Sequence, residues 1–213
     1  FTADHGELLG DYGCFGKRSY HDAVTRIPLL LRGPEVPAGV RCDSPVSLLD
    51  ITATLLNRAG ASFRTHAPDG SVLIEIARKP ESDRTIFSQW NRGPNCVYLV
   101  INRRWKFVYS APDQRELLFD RQHDPYETRD LAGLVHDPHW PVSRVQVAMR
   151  RRLIEELKAQ GETSALDGDR WQIRPVRQMP ANPDAWLLYQ DHDWAAQEIP
   201  GYTDQGKVGE DEA

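Results

Sequence analysis

The first part of the chain combines one short apolar run with one amphipathic segment. The run from Ile27 to Arg32 is followed by Gly33-Pro34, which predicts a buried strand of a largely parallel sheet. From Leu48 to Ala59, apolar residues recur at helical spacing, and Gly60 is suited to end the helix. The predicted inward face of this helix consists of Leu48, Leu49, Ile51, Leu55, Leu56 and Ala59. Residues 61–83 are rich in proline, glycine, serine and charge, which predicts a crossing into a second subdomain.

Four runs of strand length follow, each enriched in aromatic and β-branched residues and separated from the next by turn signals. The predicted strands are Thr85 to Trp90, Cys96 to Ile101, Trp105 to Ser110 and Glu116 to Asp120. Four consecutive strands predict an antiparallel meander. A long helix is predicted from Pro141 to about Gln160, because apolar residues recur there at helical spacing and would pack against the sheet. The predicted inward face of this helix consists of Val142, Val145, Met149, Leu153, Ile154 and Leu157.

The pattern divides the chain into three parts. Residues 1–83 are predicted to be the end of an α/β sheet domain, and residues 84–164 a small subdomain with an antiparallel sheet and a helix. Residues 165–213 form an irregular tail that is too aromatic for a disordered linker. Its large aromatic residues are Trp171, Trp186, Tyr189, Trp194 and Tyr202. Packing within the subunit would explain them, but we favour contact with a neighbouring subunit, which predicts a homo-oligomer formed through the tail.

Composition narrows the classes of function. The net charge of -5 and the pI near 5.8 argue against a nucleic-acid partner, since phosphate binding requires a basic surface. No apolar run approaches the roughly 18 to 20 residues needed to span a bilayer. The 3 cysteines, an odd number, predict no disulfide framework and slightly favour a reducing, cytoplasmic compartment, while export stays open.

The candidate chemistry lies at the beginning of the chain. Asp4 offers a carboxylate oxygen and His5 an imidazole nitrogen, both suited to a divalent cation, and Gly6 allows a tight turn behind them. Lys17 could hold a sulfate or phosphate oxygen. Each residue also has a simpler explanation, because Asp-His-Gly is commonly an ordinary turn and a single lysine is most often a solvated surface charge.

Further segments follow these residues in a distinctive order. They are Gly16-Lys17-Arg18, Tyr20-His21-Asp22, Arg26 to Pro34, Ser47 to Leu56, Asp69 to Leu73, Arg104 to Tyr109, Glu116 to Asp120, and Asp124 to Ala132. Taken together, they resemble the carboxy-terminal half of the sulfatase family, a group within the alkaline-phosphatase-like superfamily. The resemblance covers about residues 1–132, and the ordered set is far more specific than any single segment.

The resemblance implies a fold, a reaction and a site. The fold is the end of an alkaline-phosphatase-like α/β sheet domain followed by the small α+β subdomain. Asp4 and His5 match two of the family's metal ligands, and Lys17 matches the catalytic lysine that contacts the anionic part of a small ester substrate. The ligand types, rather than the resemblance, lead us to expect Ca²⁺ or Mn²⁺, because a carboxylate suits calcium and an imidazole nitrogen shifts the preference towards manganese or zinc. His21 would line the mouth of the pocket, unless it caps a helix or faces solvent. The family's nucleophile is a formylglycine made from a C/S-x-P-x-R motif.

The chain departs from the family pattern in two respects. No cysteine heads the nucleophile motif, and Cys14, which comes nearest, has Gly16 where proline belongs. The family's early Asp-Asp pair is also absent, and the chain does not begin with Met. We therefore expect a carboxy-terminal fragment of a longer enzyme, inactive alone, with formylglycine in the part that precedes it.

Three functions stay open at this point. The first is hydrolysis of sulfate esters by the longer enzyme. The second is hydrolysis of phosphonate monoesters or phosphodiesters, because the Asp-His form of the metal pair also occurs in that branch of the superfamily. The third is a non-catalytic binding or assembly module, which would apply if the chain were made as it stands.

Overall fold

The computed structural model describes residues 1–62, 69–80, 83–91, 93–132 and 141–175. Its helices are α1 (Asp22–Thr25), α2 (Leu48–Ala59), α3 (Leu73–Arg78) and α4 (Pro141–Ala159). Its strands are β1 (Ile86–Trp90), β2 (Val97–Ile101), β3 (Trp105–Ser110), β4 (Arg115–Asp120), β5 (Leu166–Asp167) and β6 (Arg170–Trp171). Two short 3₁₀ turns lie at Asp11–Gly13 and Gly93–Asn95. No helix among the described residues is long and apolar enough to cross a membrane.

Strands β1 to β4 form the predicted antiparallel meander, in the order β1-β2-β3-β4. The predicted bounds differ from the observed ones by at most one residue. The centre of the sheet is buried on both faces, because the residues of β2, β3 and β4 are almost completely inaccessible to solvent. A sheet of this kind requires a covering layer on each side.

The long helix α4 covers one face. The sheet residues on this face are Cys96, Tyr98, Val100, Phe107, Tyr109 and Leu118. Met149, Leu153 and Leu157 of α4 pack against them, and Leu153 is only 1% exposed. Full burial of one such leucine contributes about 1.5–3 kcal/mol to stability. The predicted helix and its inward face are confirmed.

The hairpin of β5 and β6 extends the same layer. Trp171 stacks on Tyr109 with ring centroids 3.8 Å apart, and the Trp171 Nε1–H donates to Glu116 at 2.6 Å. Trp171 therefore packs within its own subunit, which is the simpler of the two explanations that the sequence offers for the aromatic residues of the tail. The other aromatic residues of the tail lie outside the described residues, and both the homo-oligomer and the three-part division stay predictions.

The segment before α1 covers the opposite face. Val97, Leu99, Val108, Leu117 and Phe119 line this face, and Tyr20 packs on them. Lys106 belongs to the same side, since it alternates with Phe107 along β3. The sheet thus supports the part of the chain that carries Lys17 and His21.

The predicted inward face of α2 is partly wrong. The helix has the predicted bounds, the Ser47–Asp50 capping box and a left-handed Gly60 at its end. However, Leu48, Leu49 and Leu55 are exposed, whereas Asp50, Ala53 and Thr54 are buried. Contacts to distant parts of the chain explain the burial of Asp50. Its carboxylate accepts a hydrogen bond from the Ser71 N–H at 2.8 Å and forms an ion pair with Arg84 at 2.8 Å.

The prediction of a buried strand from Ile27 to Arg32 is also wrong for the described chain. Leu29 forms only an isolated antiparallel bridge with Thr2, and Leu30 is 62% exposed. A strand is buried when a ladder continues on both sides, and the described residues provide only Phe1 and Thr2 as partners here. Helix α3 was not predicted. Its Leu73, Ile74 and Ile76 are buried, and the Leu73 N–H donates to Thr54 Oγ1.

Candidate metal and anion site

Asp4 and His5 bring two potential ligand atoms close together. The His5 Nδ1 lies 2.8 Å from the Gly6 carbonyl oxygen. A carbonyl can only accept a hydrogen bond, so Nδ1 carries the proton and, in the neutral ring, Nε2 presents its lone pair. Nε2 lies 3.4 Å from the Asp4 Oδ2. A metal cation placed between these two atoms would contact both, and a backbone carbonyl on the second ring nitrogen is typical of metal-bound histidine.

The pKa of Asp4 is lowered. The largest cause is the hydrogen bond from the His5 backbone N–H to Oδ1, at 3.0 Å, and the charge of Lys17 adds to the effect. The Asp4 carboxylate is therefore ionised at neutral pH and ready to bind a cation. The structure contains no group of three or more His, Cys, Asp or Glu side chains suited to a metal among the described residues. Asp4 and His5 fit a metal site, but they fill only part of its coordination sphere.

A tight loop brings Lys17 back towards this pair. The Leu8 N–H donates to the Gly16 carbonyl at 3.0 Å, which places the two arms of the loop side by side. Gly16 has a φ of +95°, a conformation that favours glycine, and Lys17 follows it directly. The three residues named from the sequence thus belong to one loop, and the Lys17 charge acts on Asp4.

Gly6 joins this loop to helix α1. Its N–H donates to the Val24 carbonyl at 2.8 Å, and a Cβ at position 6 would overlap the Ala23 carbonyl oxygen. Glycine is required here because the two backbones approach so closely.

The substitution Gly6→Ala should lower the free energy of unfolding by about 1–3 kcal/mol, the usual cost of forcing extra atoms into a packed site. Denaturant unfolding of the complete enzyme measures this change. Gly33→Ala is the control, since its added Cβ would meet only Val36 at 3.8 Å. Equal stability of the two variants would contradict the close approach at Gly6.

His21, the other residue that the sequence proposes for the substrate, directly precedes α1. Its ring stacks on Tyr12 with centroids 3.7 Å apart, and its Nδ1 lies 2.8 Å from the Ser19 hydroxyl. Among the described residues, Nε2 has no hydrogen-bond partner and could contact a ligand. Burial, followed by the positive charge of Lys106, lowers the pKa of His21 to about 4. The ring is consequently neutral at physiological pH.

This shift predicts a pH-dependent stability. The ordinary pKa of the unfolded side chain is 6.5, so between about pH 6.5 and 4 the unfolded state binds the proton more readily. Stability present above pH 6.5 should be lost as the pH falls to about 4. The expected loss is about 1 kcal/mol after allowance for solvent screening of a half-exposed ring. Between pH 6.5 and 4, the free energy of unfolding should change less with pH in His21→Gln than in the wild type. The same pH dependence in both proteins would contradict the assignment.

A buried charge cluster lies beneath His21. Lys106 is fully buried, and its Nζ lies 2.6 Å from Asp22 Oδ1 and 2.5 Å from Glu127 Oε1. Arg121 donates from Nε and Nη2 to the other Asp22 oxygen, at 3.2 and 2.8 Å. Burial alone would raise the pKa of Asp22, but the charges and hydrogen bonds of Lys106 and Arg121 outweigh it, so this pKa is lowered. At Glu127 burial is the stronger effect, and the pKa of this carboxyl is raised although Lys106 acts to lower it. Sequence reasoning did not find this cluster, although a lysine between Trp105 and Phe107 in a strand was a signal.

An open groove of about 1000 Å³ lies elsewhere, along α4. Its lining combines Arg144 and Arg152 with Asp83 and Glu155. It contains none of the residues that the sequence predicts for the site.

Comparisons with known proteins agree with this architecture. A solved 2-O GAG sulfatase matches with a TM-score of 0.67 and 22% identity, over 94% of this chain and 42% of that one. The phosphonate monoester hydrolase of Agrobacterium radiobacter matches with a TM-score of 0.58 and 25% identity, over 75% of this chain and 34% of that one. The fold is that of the sulfatases, which confirms the predicted fold class.

The sequence comparisons define the family. The family described as "N-sulphoglucosamine sulphohydrolase, C-terminal" matches residues 10–160, and the chain therefore belongs to this sulfatase family. The choline-sulfatase of Rhizobium meliloti is 33% identical over 155 residues, which are 71% of this chain and 29% of that protein. The chain thus spans less than a third of this relative. The resemblance to the carboxy-terminal portion of sulfatases is confirmed.

Proposed function

We propose that this chain is the carboxy-terminal part of a metal-dependent hydrolase that cleaves sulfate esters. The observation that carries the proposal is the close approach of Asp4 Oδ2 and His5 Nε2, 3.4 Å apart, in a loop whose other arm, paired through Leu8 and Gly16, carries Lys17. A carboxylate, an imidazole lone pair and an ammonium group form a set suited to a cation and the anion it binds. The family match and the choline-sulfatase relative support a sulfate ester as the substrate.

Each residue has a defined role in this proposal. Asp4 and His5 would provide two ligands of a Ca²⁺ or Mn²⁺ ion, which would neutralise charge on the oxygens of the substrate anion. Lys17 donates charge-assisted hydrogen bonds to that anion and strengthens them as negative charge grows on the leaving oxygen. His21 contributes a neutral Nε2 at the edge of the site. The nucleophile, a formylglycine, comes from the part of the enzyme outside this chain.

Hydrolysis of phosphonate monoesters or phosphodiesters is the second candidate. The likeness to the phosphonate monoester hydrolase of Agrobacterium radiobacter favours it, together with the Asp-His form of the metal pair. In both reactions the same residues would bind a negatively charged tetrahedral group, either a sulfate or a phosphate group.

The test is a substrate comparison with the complete enzyme. We expect the highest kcat/KM for an aryl sulfate, measured beside a phosphonate monoester and a phosphodiester under the same conditions. A higher value for the phosphonate monoester would transfer the assignment to the second candidate. Absence of turnover on all three esters would favour a non-catalytic binding or assembly module.

A further inference from the structure

Two peptide groups flank the α-carbon of His21, and side chains from the sheet subdomain hold both of them. The Tyr20 carbonyl, on the amino side, accepts a hydrogen bond from Lys106 Nζ at 2.8 Å. The Asp22 N–H, on the carboxyl side, donates to Glu127 Oε2 at 2.8 Å. With both peptide planes fixed, the backbone dihedrals of His21, φ -70° and ψ 153°, are fixed as well.

Lys106 and Glu127 also hold each other. Their charged atoms lie 2.5 Å apart, and their side chains are fully buried. Two buried opposite charges need each other, because removing one leaves the other without compensation. The two contacts to the backbone around His21 are therefore made by one unit rather than by two independent side chains.

The loop that carries Glu127 also holds a residue that contacts the ring of His21. Tyr12, which stacks on that ring, donates its hydroxyl hydrogen bond to the Tyr126 carbonyl. Tyr126 directly precedes Glu127, so one short loop fixes both the backbone of His21 and its stacking partner. This loop is itself ordered by Asp124, whose carboxylate accepts the Thr128 hydroxyl at 3.1 Å and the Arg129 N–H at 2.8 Å.

The loop adopts a conformation that residues other than glycine seldom take. Glu127 has a φ of +53°, in the left-handed region, yet its side chain carries the buried contacts. Such a conformation is unfavourable for a residue with a Cβ and persists where surrounding contacts determine it. A buried ion pair is in itself weak support for stability, so the arrangement is better explained by what it holds in place.

We propose that Glu127 is a positioning residue of the anion site, acting with Lys106 to fix His21 where it meets the substrate. The inference rests on the proposed function, because it assumes that His21 faces the substrate. Misplacement of a binding group by about 1 Å can lower the rate by about 10²-fold, even when the altered residue is far from the reacting atoms.

The test compares variants of the complete enzyme. Glu127→Ala should lower kcat/KM for an aryl sulfate at least 10-fold and increase amide hydrogen exchange in residues 19–25. Glu127→Gln, which keeps an acceptor for the Asp22 N–H, should lose less activity. The control is Glu116→Gln, since Glu116 also forms a half-buried ion pair, with Arg150 at 2.5 Å, but on the α4 side of the sheet. In this control, kcat/KM should stay within about 2-fold of the wild-type value, and amide hydrogen exchange in residues 19–25 should not change.

A double-mutant cycle separates positioning from general destabilisation. If Glu127 acts through His21, the loss from Glu127→Ala should largely disappear in a His21→Ala background. Additive losses, or unchanged exchange and kcat/KM in both Glu127 variants, would overturn the inference. Should Glu127→Ala fail to fold, Glu127→Gln decides the matter by the same two readouts. A wild-type enzyme without turnover would instead contradict the proposed function. Unchanged exchange in residues 19–25 of both Glu127 variants would then still refute the positioning of His21 by Glu127.

Discussion

Replacing Lys17 with alanine should lower the kcat of the complete enzyme by roughly 10²-fold or more. Lys17 follows the left-handed Gly16 and belongs to the loop that carries Asp4 and His5. In the proposed reaction its ammonium group meets the oxygen on which negative charge develops. Removal of one donor of this kind typically costs 10² to 10³ in kcat.

Steady-state kinetics with an aryl sulfate measure this effect. The control is Lys158→Ala, because Lys158 is partly exposed on α4 and pairs with Asp169 there. This control should leave kcat and KM as in the wild type. If Lys17→Ala also retained both constants, Lys17 would not belong to the site.

The second large effect concerns the metal ligands. Asp4→Ala should lower both bound metal and kcat/KM by about 10²-fold or more, since a first ligand contributes at least as much as the outer-shell groups whose loss costs 10- to 100-fold. Asp11→Ala is the matched control, because Asp11 is an exposed carboxylate of the same loop. Metal content by elemental analysis gives a readout that is independent of activity. Full metal occupancy in Asp4→Ala would contradict the assignment.

The sequence predicts elements well where the pattern is local. The meander follows from runs rich in aromatic and β-branched residues and α4 from helical spacing, and the inward face of α4 is confirmed. Helix α2 shows where local pattern fails. Its apolar Leu49 is exposed and its Asp50 buried, because the partners of Asp50 are Ser71 and Arg84, far along the chain. The spacing of apolar residues within α2 contains no information about those partners.

The candidate site divides in the same way. Asp4, His5 and Lys17 lie within one loop, and their order along the chain was sufficient to propose them. The cluster beneath His21 joins residues about 100 positions apart, since Asp22 meets Lys106, Arg121 and Glu127. Each of these has an ordinary local explanation, as a strand lysine, a turn arginine or a loop glutamate. Only the fold brings them together.

Metal titration tests the central claim most directly. The complete enzyme is first freed of metal by chelation, and Ca²⁺ or Mn²⁺ is then added while hydrolysis of an aryl sulfate is followed. The account predicts that the metal-free enzyme is inactive, that turnover returns in the wild type, and that Asp4→Ala does not recover it at the same metal concentration. Turnover that survives thorough removal of metal, or that returns equally in Asp4→Ala, would contradict the account.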